Sequence, residues 1–559
     1  MEQKDLFRAL LATVLALSFI ILWNTYVFPP APRRAPTPPR PAEAPAPAQS
    51  AAGAEEPAAP VAQPPPSQPA PPARRAQVVR KLTVETPLYK IAFTNEGARV
   101  EDWWLKHYQG SASGPIDLVS ARFRKRNQLP LGIRLKDAKL EAQINRALFE
   151  VEPATDLHLT GPGDTASLVF RYSDGRGLQA EKQLRFSADR YPVEARVKVR
   201  RNGLPIAVAL LLGPELGNPK PEERGSRQFV PTRAAYLGSA DGLKTVEVKK
   251  LAAKPWRING PLVWAGLEDK YFLAAAYGWH SGALEPLAWA RLEQARVPGG
   301  DPGLSVAVAL PDQDAIQLFF GPKDYEILGH LPVDLRGTIE FGWFGWLAVP
   351  LLYALKFLRN YVGSYGLAII VITILLRVVF YPLNKIQIDS SKKMSALQPK
   401  MNAIKERYRK FKGDMKKQQE MNQELQELFR KEGVNPLGGC LPMLAQFPVF
   451  IAFYNLLNSA IELRGQPFLY LRDLSAKDPT LVLPLLMGAS WFLQMRMMPA
   501  TPGANPAQQK MMQFMPLLFT AMFLEMPSGL ILYWFVTNLL AIAQQYFLLG
   551  PGSKSAKGK

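Results

Sequence analysis

Apolar residues follow three different rhythms along this chain. Leu6 to Phe28 is a nearly unbroken apolar run. At ~1.5 Å per helical residue it is long enough to cross the ~30 Å hydrocarbon core of a bilayer. Lys4 and Arg8 lie ahead of or within its start, and its exit reads Trp23, Asn24, Tyr26, Phe28, Pro29. No small-x-small cleavage site occurs there, so 1–28 is expected to remain as a transmembrane anchor rather than to leave as a signal peptide. From about Val78 the rhythm changes to period two, as in LTVETPLYKIAF, LQAEKQLRF, YPVEARVKVR and LSVAVAL. Gly, Pro and Asp separate these runs. Alternation with turn punctuation predicts an all-β, sandwich-like domain over 78–340.

After 340 the rhythm changes again. FGWFGWLAVPLLYALKFLRNYVGSYG opens with Trp343, Phe344 and Trp346 and closes with Lys356 and Arg359. That composition predicts an amphipathic helix over 341–362 lying in the membrane–water interface, with a transmembrane span as the competing reading. Five long apolar runs follow: Leu367–Leu383, Leu441–Ile461, Leu481–Met498, Met511–Leu524 and Gly529–Leu549. A five-span helical core over 363–549 is therefore expected. Proline and polar residues inside these runs suit helices that face one another or water rather than lipid.

Composition adds the linkers. Of the 48 residues from 29 to 76, 17 are proline and 15 are alanine. Such a stretch cannot bury a core, so 29–77 is expected to be an extended tether. The net charge of +20 suits either nucleic acid or a membrane surface, and its distribution decides. Between Asn384 and Asn435 there are 13 Lys and Arg against 7 Asp and Glu, a surplus of 6, and the tail 550–559 adds Lys554, Lys557 and Lys559. The loop Glu462–Thr480 carries three of each sign. By the positive-inside rule 384–435 and both termini are cytoplasmic, and the β domain lies outside. No DNA partner is expected.

Within 384–435, Met394, Leu397, Met401, Ile404, Tyr408 and Phe411 recur every three or four residues. Gly413 and Asp414 break and recap the chain, and Met421, Leu425, Leu428 and Phe429 form a second stripe. A helical hairpin is predicted, with Pro399 kinking its first helix. Its cations, among them Lys392, Lys393, Lys400, Lys405, Arg407, Arg409 and Lys410, form either a solvated face beside anionic lipid or a docking face for a ribosome or targeting factor.

Candidate chemistry is sparse. The one cysteine, Cys440, allows no internal disulfide, and the four histidines show no ligand spacing, so no metal or other cofactor is expected. No histidine follows His330, and the five runs hold no Asp or Glu, which removes serine, zinc and aspartyl protease chemistry from the membrane. A proton-coupled carrier would also want an intramembrane carboxylate. A β domain that binds carbohydrate, with the helices as its anchor, has no site to nominate. The protein is not expected to be an enzyme.

A charge does stand well inside an apolar run: Arg377, in GLAIIVITILLRVVFYPL. Burying it costs ~2.5–3.5 kcal/mol on insertion scales. It either snorkels toward the cytoplasmic headgroups or lines a hydrated cavity. Thr373, one turn earlier, favours the cavity, as do Gln446 and Asn538 in other runs. Nine of the 15 methionines fall between Met487 and Met526, suiting a surface that accepts varied apolar segments.

At these residues the chain resembles the YidC/Oxa/Alb membrane-protein insertases. The shared motifs are Thr373 to Arg377 followed by YPL, LQPKM at 397–401, VNPLGGCLPML at 434–444, PF at 467–468, DLS to DP at 473–479, QQKMM at 508–512 and PSGL to LYW at 527–534. The anchor, tether and β domain are similar to the Gram-negative bacterial form, whose periplasmic domain is a β-supersandwich. The resemblance implies an inner-membrane insertase and chaperone, acting alone or with the Sec translocon on nascent integral membrane proteins. It implies a substrate groove in which Arg377, Thr373 and Trp534 match the family's arginine, threonine and aromatic positions, and Gln446, Tyr533 and Asn538 are further groove candidates in this chain. Many relatives carry Tyr where this chain has Trp534.

Overall fold

The alternating runs become strands because each places one row of side chains inward. In Val193–Arg201 the valines and Ala195 are buried while Arg196, Lys198 and Arg200 face solvent. The computed structural model describes residues 72–549 apart from 111–113, 219–228, 241, 252–254, 281–282, 297, 299, 311–314, 412–413, 434–440 and 498–505. The expected anchor 1–28, most of the tether 29–77, the tail 550–559, Cys440 and Met498 lie outside the described residues.

Among those residues the β domain forms two sheets. One has five strands, in the order Pro115–Asp117, Arg99–Gln109, Tyr89–Thr94, Lys81–Glu85 and Leu157–His158, with the last pair parallel. The other has 15 strands and runs from Ile133–Arg134 to Glu150–Glu152 through the centre of the domain. Aromatic rings join them: Trp103 of the first stacks on Phe320 of the second at 4.3 Å, and Phe93 meets Phe170 and Phe186 at about 6 Å. The last of the tether is fixed to the larger sheet, since Arg74 exchanges backbone hydrogen bonds with Ser173 at 3.0 and 2.8 Å.

A buried ionic cluster holds the exit from this domain. Glu268, fully buried, takes Arg233 at 2.7 Å and Lys323 at 2.7 Å. Lys323 also donates to the Thr338 carbonyl at 3.1 Å, and Arg233 also pairs with Glu340. The chain then enters helix α1 (Gly345–Val362), which buries Leu347, Ala348, Leu351, Leu352 and Leu355 and exposes Phe357 and Tyr361. Gly363 ends α1 in the left-handed region at φ +75°, its N–H on the Arg359 carbonyl at 2.8 Å. Ser364 then caps α2 (Tyr365–Val379), and the two helices meet at a bend of 118°.

Helices α3 (Tyr381–Ala396), α4 (Gln398–Tyr408) and α5 (Met415–Lys431) follow. Then come α6 (Leu441–Ser459), α7 (Val482–Met497), α8 (Pro506–Phe523) and α9 (Ser528–Leu549). Among the described residues α9 alone is long and apolar enough by itself to cross a membrane; α1 and α2 pass together as a bent pair. The run expected as one span over 367–383 is divided at Phe380, because Pro382, second in α3, has no N–H to continue the helical ladder. Large apolar side chains are exposed mainly in these helices, including Leu375, Val378, Leu485, Leu486, Leu517 and Phe547. An apolar exterior of that extent marks a lipid-facing surface.

The hairpin stripes meet as spaced. Leu397, Met401, Ile404 and Leu425 are buried together, with Met394, Tyr408, Met421, Leu428 and Phe429 packed around them. Phe411 is not part of this seam and is 46% exposed. Pro399 does not kink a continuous helix. It occupies the first turn of a new one after a break at Leu397, where a missing N–H leaves nothing unpaired. Asp414 caps α5, accepting from the Lys416 and Lys417 N–H groups.

Candidate functional site

Arg377 lies in the last turn of α2. Around it Ile374, Leu375, Val378 and Val379 are exposed, while Arg377 itself turns inward and is half-buried. Its Nη2 donates to the Thr537 carbonyl of α9 at 2.9 Å. Its Nε is buried with no hydrogen-bond partner, and among the described residues the guanidinium makes no ion pair. The guanidinium is therefore held at α9 by one backbone oxygen, with donors to spare.

Thr373, one turn earlier, is 1% exposed, and its hydroxyl donates to the Ile369 carbonyl of its own helix at 2.6 Å. Its hydroxyl is thus satisfied within its own helix rather than extending a polar wall. Asn538 is also buried and faces α7, donating to Ser490 Oγ at 3.1 Å and to the Met487 carbonyl at 3.4 Å. These bonds join α9 to α7 and do not involve Arg377.

Tyr533 is buried with its ring 4.5 Å from Phe453 of α6. Trp534 is half-buried in an aromatic group: Phe450 at 4.9 Å, Trp491 at 5.6 Å and Phe523 at 4.8 Å. Gln446, half-buried, lies one turn from Phe450 on the same face of α6, which places it toward α9. Arg377 of α2 and Phe450 of α6 thus both meet α9, at Thr537 and Trp534. Phe450, Trp491 and Phe523, which complete the aromatic group, carry no signal in the sequence because aromatic residues are frequent in every apolar run.

The outer ends of these helices are covered by the loop after α6. Phe468 packs on Gly366 so closely that a Cβ there would lie 2.1 Å from the ring. Asp478 accepts from the Leu483 N–H at 2.8 Å, the Thr480 N–H at 2.9 Å and hydroxyl at 2.7 Å, and the Tyr470 hydroxyl at 2.9 Å, capping α7. The Ser528 and Gly529 N–H groups donate to the Ala476 and Leu474 carbonyls at 2.8 Å, seating α9. The short motifs at 467–468, 473–479 and 527–530 are this closure.

Of the hairpin cations, Lys400 pairs with Glu432 at 2.6 Å, Arg407 with Glu424 at 2.5 Å and Arg409 with Glu406 at 3.3 Å. Lys393, Lys405 and Lys410 make no ion pair among the described residues, whereas Lys392 has a partner.

A β-rich domain set before a helical core with an apolar exterior defines a membrane protein, and among the described residues of that core Arg377 turns inward with no acid paired to it. The fold class expected from the hydrophobic patterning stands in this respect. Residues 81–354 match the YidC periplasmic domain family and residues 357–553 match the 60Kd inner membrane protein family. The chain is 37% identical over 473 residues to the membrane protein insertase YidC of Geobacter sulfurreducens, covering 83% of this chain and 85% of that one. It is 36% identical over 480 residues to that of Syntrophus aciditrophicus, covering 84% and 85%. A crystal structure of an active YidC insertase with its first transmembrane domain resolved is similar at 17% identity, covering 85% of this chain and 94% of that one, with a TM-score of 0.36. The chain belongs to the YidC family of membrane protein insertases.

Proposed function

We propose that this protein inserts newly made membrane proteins through a hydrated, cationic groove whose wall includes Arg377, open to the cytoplasm and to lipid. One observation carries the reading: a half-buried guanidinium bound to a single backbone carbonyl, with a buried unpaired Nε and, among the described residues, no acid paired to it. A dry bundle leaves such a group costly; water, and then an acidic residue of an arriving segment, satisfies it. A polar segment crossing the bilayer loses several kcal/mol for each backbone group without a partner, and a wet groove shortens that dry path. The aromatic group around Trp534 and the apolar flanks give the entering helix a surface along which to pass into lipid.

The charge surplus of 384–435 supports a cytoplasmic hairpin and cytoplasmic termini in this reading, with the β domain in the periplasm. Lys393, Lys405 and Lys410 leave a cationic hairpin surface for a ribosome or signal recognition particle, and the Sec translocon is a further partner.

The test is insertion into liposomes of acidic, neutral and basic versions of one two-span substrate by Arg377 variants. Arg377→Lys retains most activity. Arg377→Ala loses roughly tenfold, the scale of one charge-assisted hydrogen bond, and most for the acidic version. Arg377→Glu is worse for acidic substrates and partly recovers with the basic one. An equal loss across the three, with a lower melting temperature, would make Arg377 a structural residue.

A further inference from the structure

Five buried side-chain polar atoms in the described helical core have no hydrogen-bond partner. Four of them lie on three neighbouring helices: Arg377 Nε on α2, Asn384 Nδ2 on α3, and Gln544 Nε2 and Gln545 Oε1 on α9. Asn384 is 6% exposed and Gln545 7%. Helix α9 packs on both α2 and α3. The outer loop fixes the starts of α2 at Gly366 and of α9 at Gly529, so the two helices run in the same direction.

Register and packing then place these groups. Thr537 accepts from Arg377. Gln544 lies seven residues beyond Thr537, two turns or ~10 Å further along α9, and Asn384 lies beyond the break at Phe380, on α3, which also packs on α9. The unpartnered Nδ2 of Asn384 and Nε2 of Gln544 thus lie beyond the guanidinium where α3 and α9 pack, whereas Gln545, seven residues after Asn538, falls on the face of α9 turned to α7. Carboxamides can present either end, so the set matches a peptide unit, whose carbonyl accepts and whose N–H donates. A carboxylate matches it less well than it matches Arg377.

We propose that Asn384 and Gln544 form a peptide-binding station on the cytoplasmic side of Arg377, which hydrogen-bonds the uncharged backbone and polar side chains of the translocated segment. This rests on the groove reading above. It divides the groove's work: Arg377 attracts negative charge, and the carboxamides receive peptide groups irrespective of charge.

The test uses the full chain in liposomes with a stalled two-span substrate, and a photo-crosslinking amino acid at position 377, 384 or 544 in turn. Crosslinks to the translocated segment are expected from all three positions. In parallel, the Asn384→Leu, Gln544→Leu double variant is expected to insert a substrate with a long, uncharged polar segment about three- to tenfold less well, the scale of one or two hydrogen bonds. Insertion of a substrate with a short segment is unchanged. Its melting temperature is unchanged or higher, because unpaired buried groups have been removed. Crosslinks from 377 without any from 384 or 544 would overturn the station and leave the groove standing. Crosslinks from none would overturn the groove itself. An equal loss for both substrates with a lower melting temperature would make the carboxamides structural.

Discussion

Charges in this protein are stabilised in different ways, and Glu462 shows the most testable one. It lies just after α6, in the outer loop, with its side chain 7% exposed and its Oε1 3.5 Å from Lys356 of α1. Burial, and then the neighbouring Asp324 carboxylate, push its carboxyl from 4.5 up to about 7. Glu326 also faces Lys356, at 3.0 Å. A carboxyl whose folded pKa is raised binds more protons folded than unfolded between those two values, so it costs stability as pH rises from about 4.5 to about 7. Glu462→Gln removes that cost, while Lys356 keeps Asp324 and Glu326. The variant should gain roughly 1–3 kcal/mol relative to the parent above pH 8, with the gain vanishing toward pH 4.5, read by melting in detergent across pH. A variant less stable than the parent at pH 8 would show that the Lys356 pairing outweighs desolvation.

At this scale the sequence was legible where one residue type is improbable in its surroundings. Arg377 qualified because a charge inside an apolar run has few explanations. Thr373 did not behave as its spacing suggested, because a hydroxyl in a helix can bond the carbonyl four residues back as readily as it can face a cavity. Asn384 was hidden by position, since it opens the charged segment and reads as part of a solvated loop. Structure alone shows it buried between helices.

At the scale of elements, periodicity located the helices of the core and, in the β domain, the strands at 81–94, 178–187, 193–201 and 303–309, and local backbone chemistry decided where each one ended. The hairpin was legible because its two stripes keep helical spacing over several turns. Phe411 departed from the seam because its helix narrows into a 3-10 turn at Arg409–Phe411, which rotates the last residue away from α5. The α2–α3 break and the 118° bend at Gly363 were not legible in hydropathy, which averages over a proline or a glycine. The hairpin also yields a prediction. Leu425→Asp places a carboxylate in the small cluster of Leu397, Met401 and Ile404. It should cost roughly 2–4 kcal/mol and melt the hairpin without unfolding the spans. Limited proteolysis should then cut between 397 and 431 while the helices after 441 stay intact. A protease pattern equal to the parent's would mean that the hairpin is not held by this cluster.

Across the whole molecule, the β domain and the core are tied at named points. The Asn455 and Ser459 side chains of α6 donate to the Phe341 and Glu340 carbonyls at 3.0 and 3.1 Å. Arg464 donates to the Gln109 carbonyl at 2.6 Å, and Lys270 to Asn458 at 3.1 Å. These contacts join residues more than a hundred positions apart, which no local pattern encodes. The division into domains was legible because three rhythms of hydrophobicity succeed one another; the joints were not.

The central claim is that water reaches Arg377 from the cytoplasm. With Cys440 replaced by serine, Arg377→Cys is compared with Val378→Cys, which is lipid-exposed, and with Thr373→Cys, which is buried, in inverted membrane vesicles treated with a membrane-impermeant thiol reagent. The hydrated groove predicts rapid labelling at 377, close to that of a cysteine at hairpin position 410, and little at 378 or 373. Labelling at 377 as slow as at 378 would mean a dry site, and the account of insertion through a wet cationic groove would be wrong.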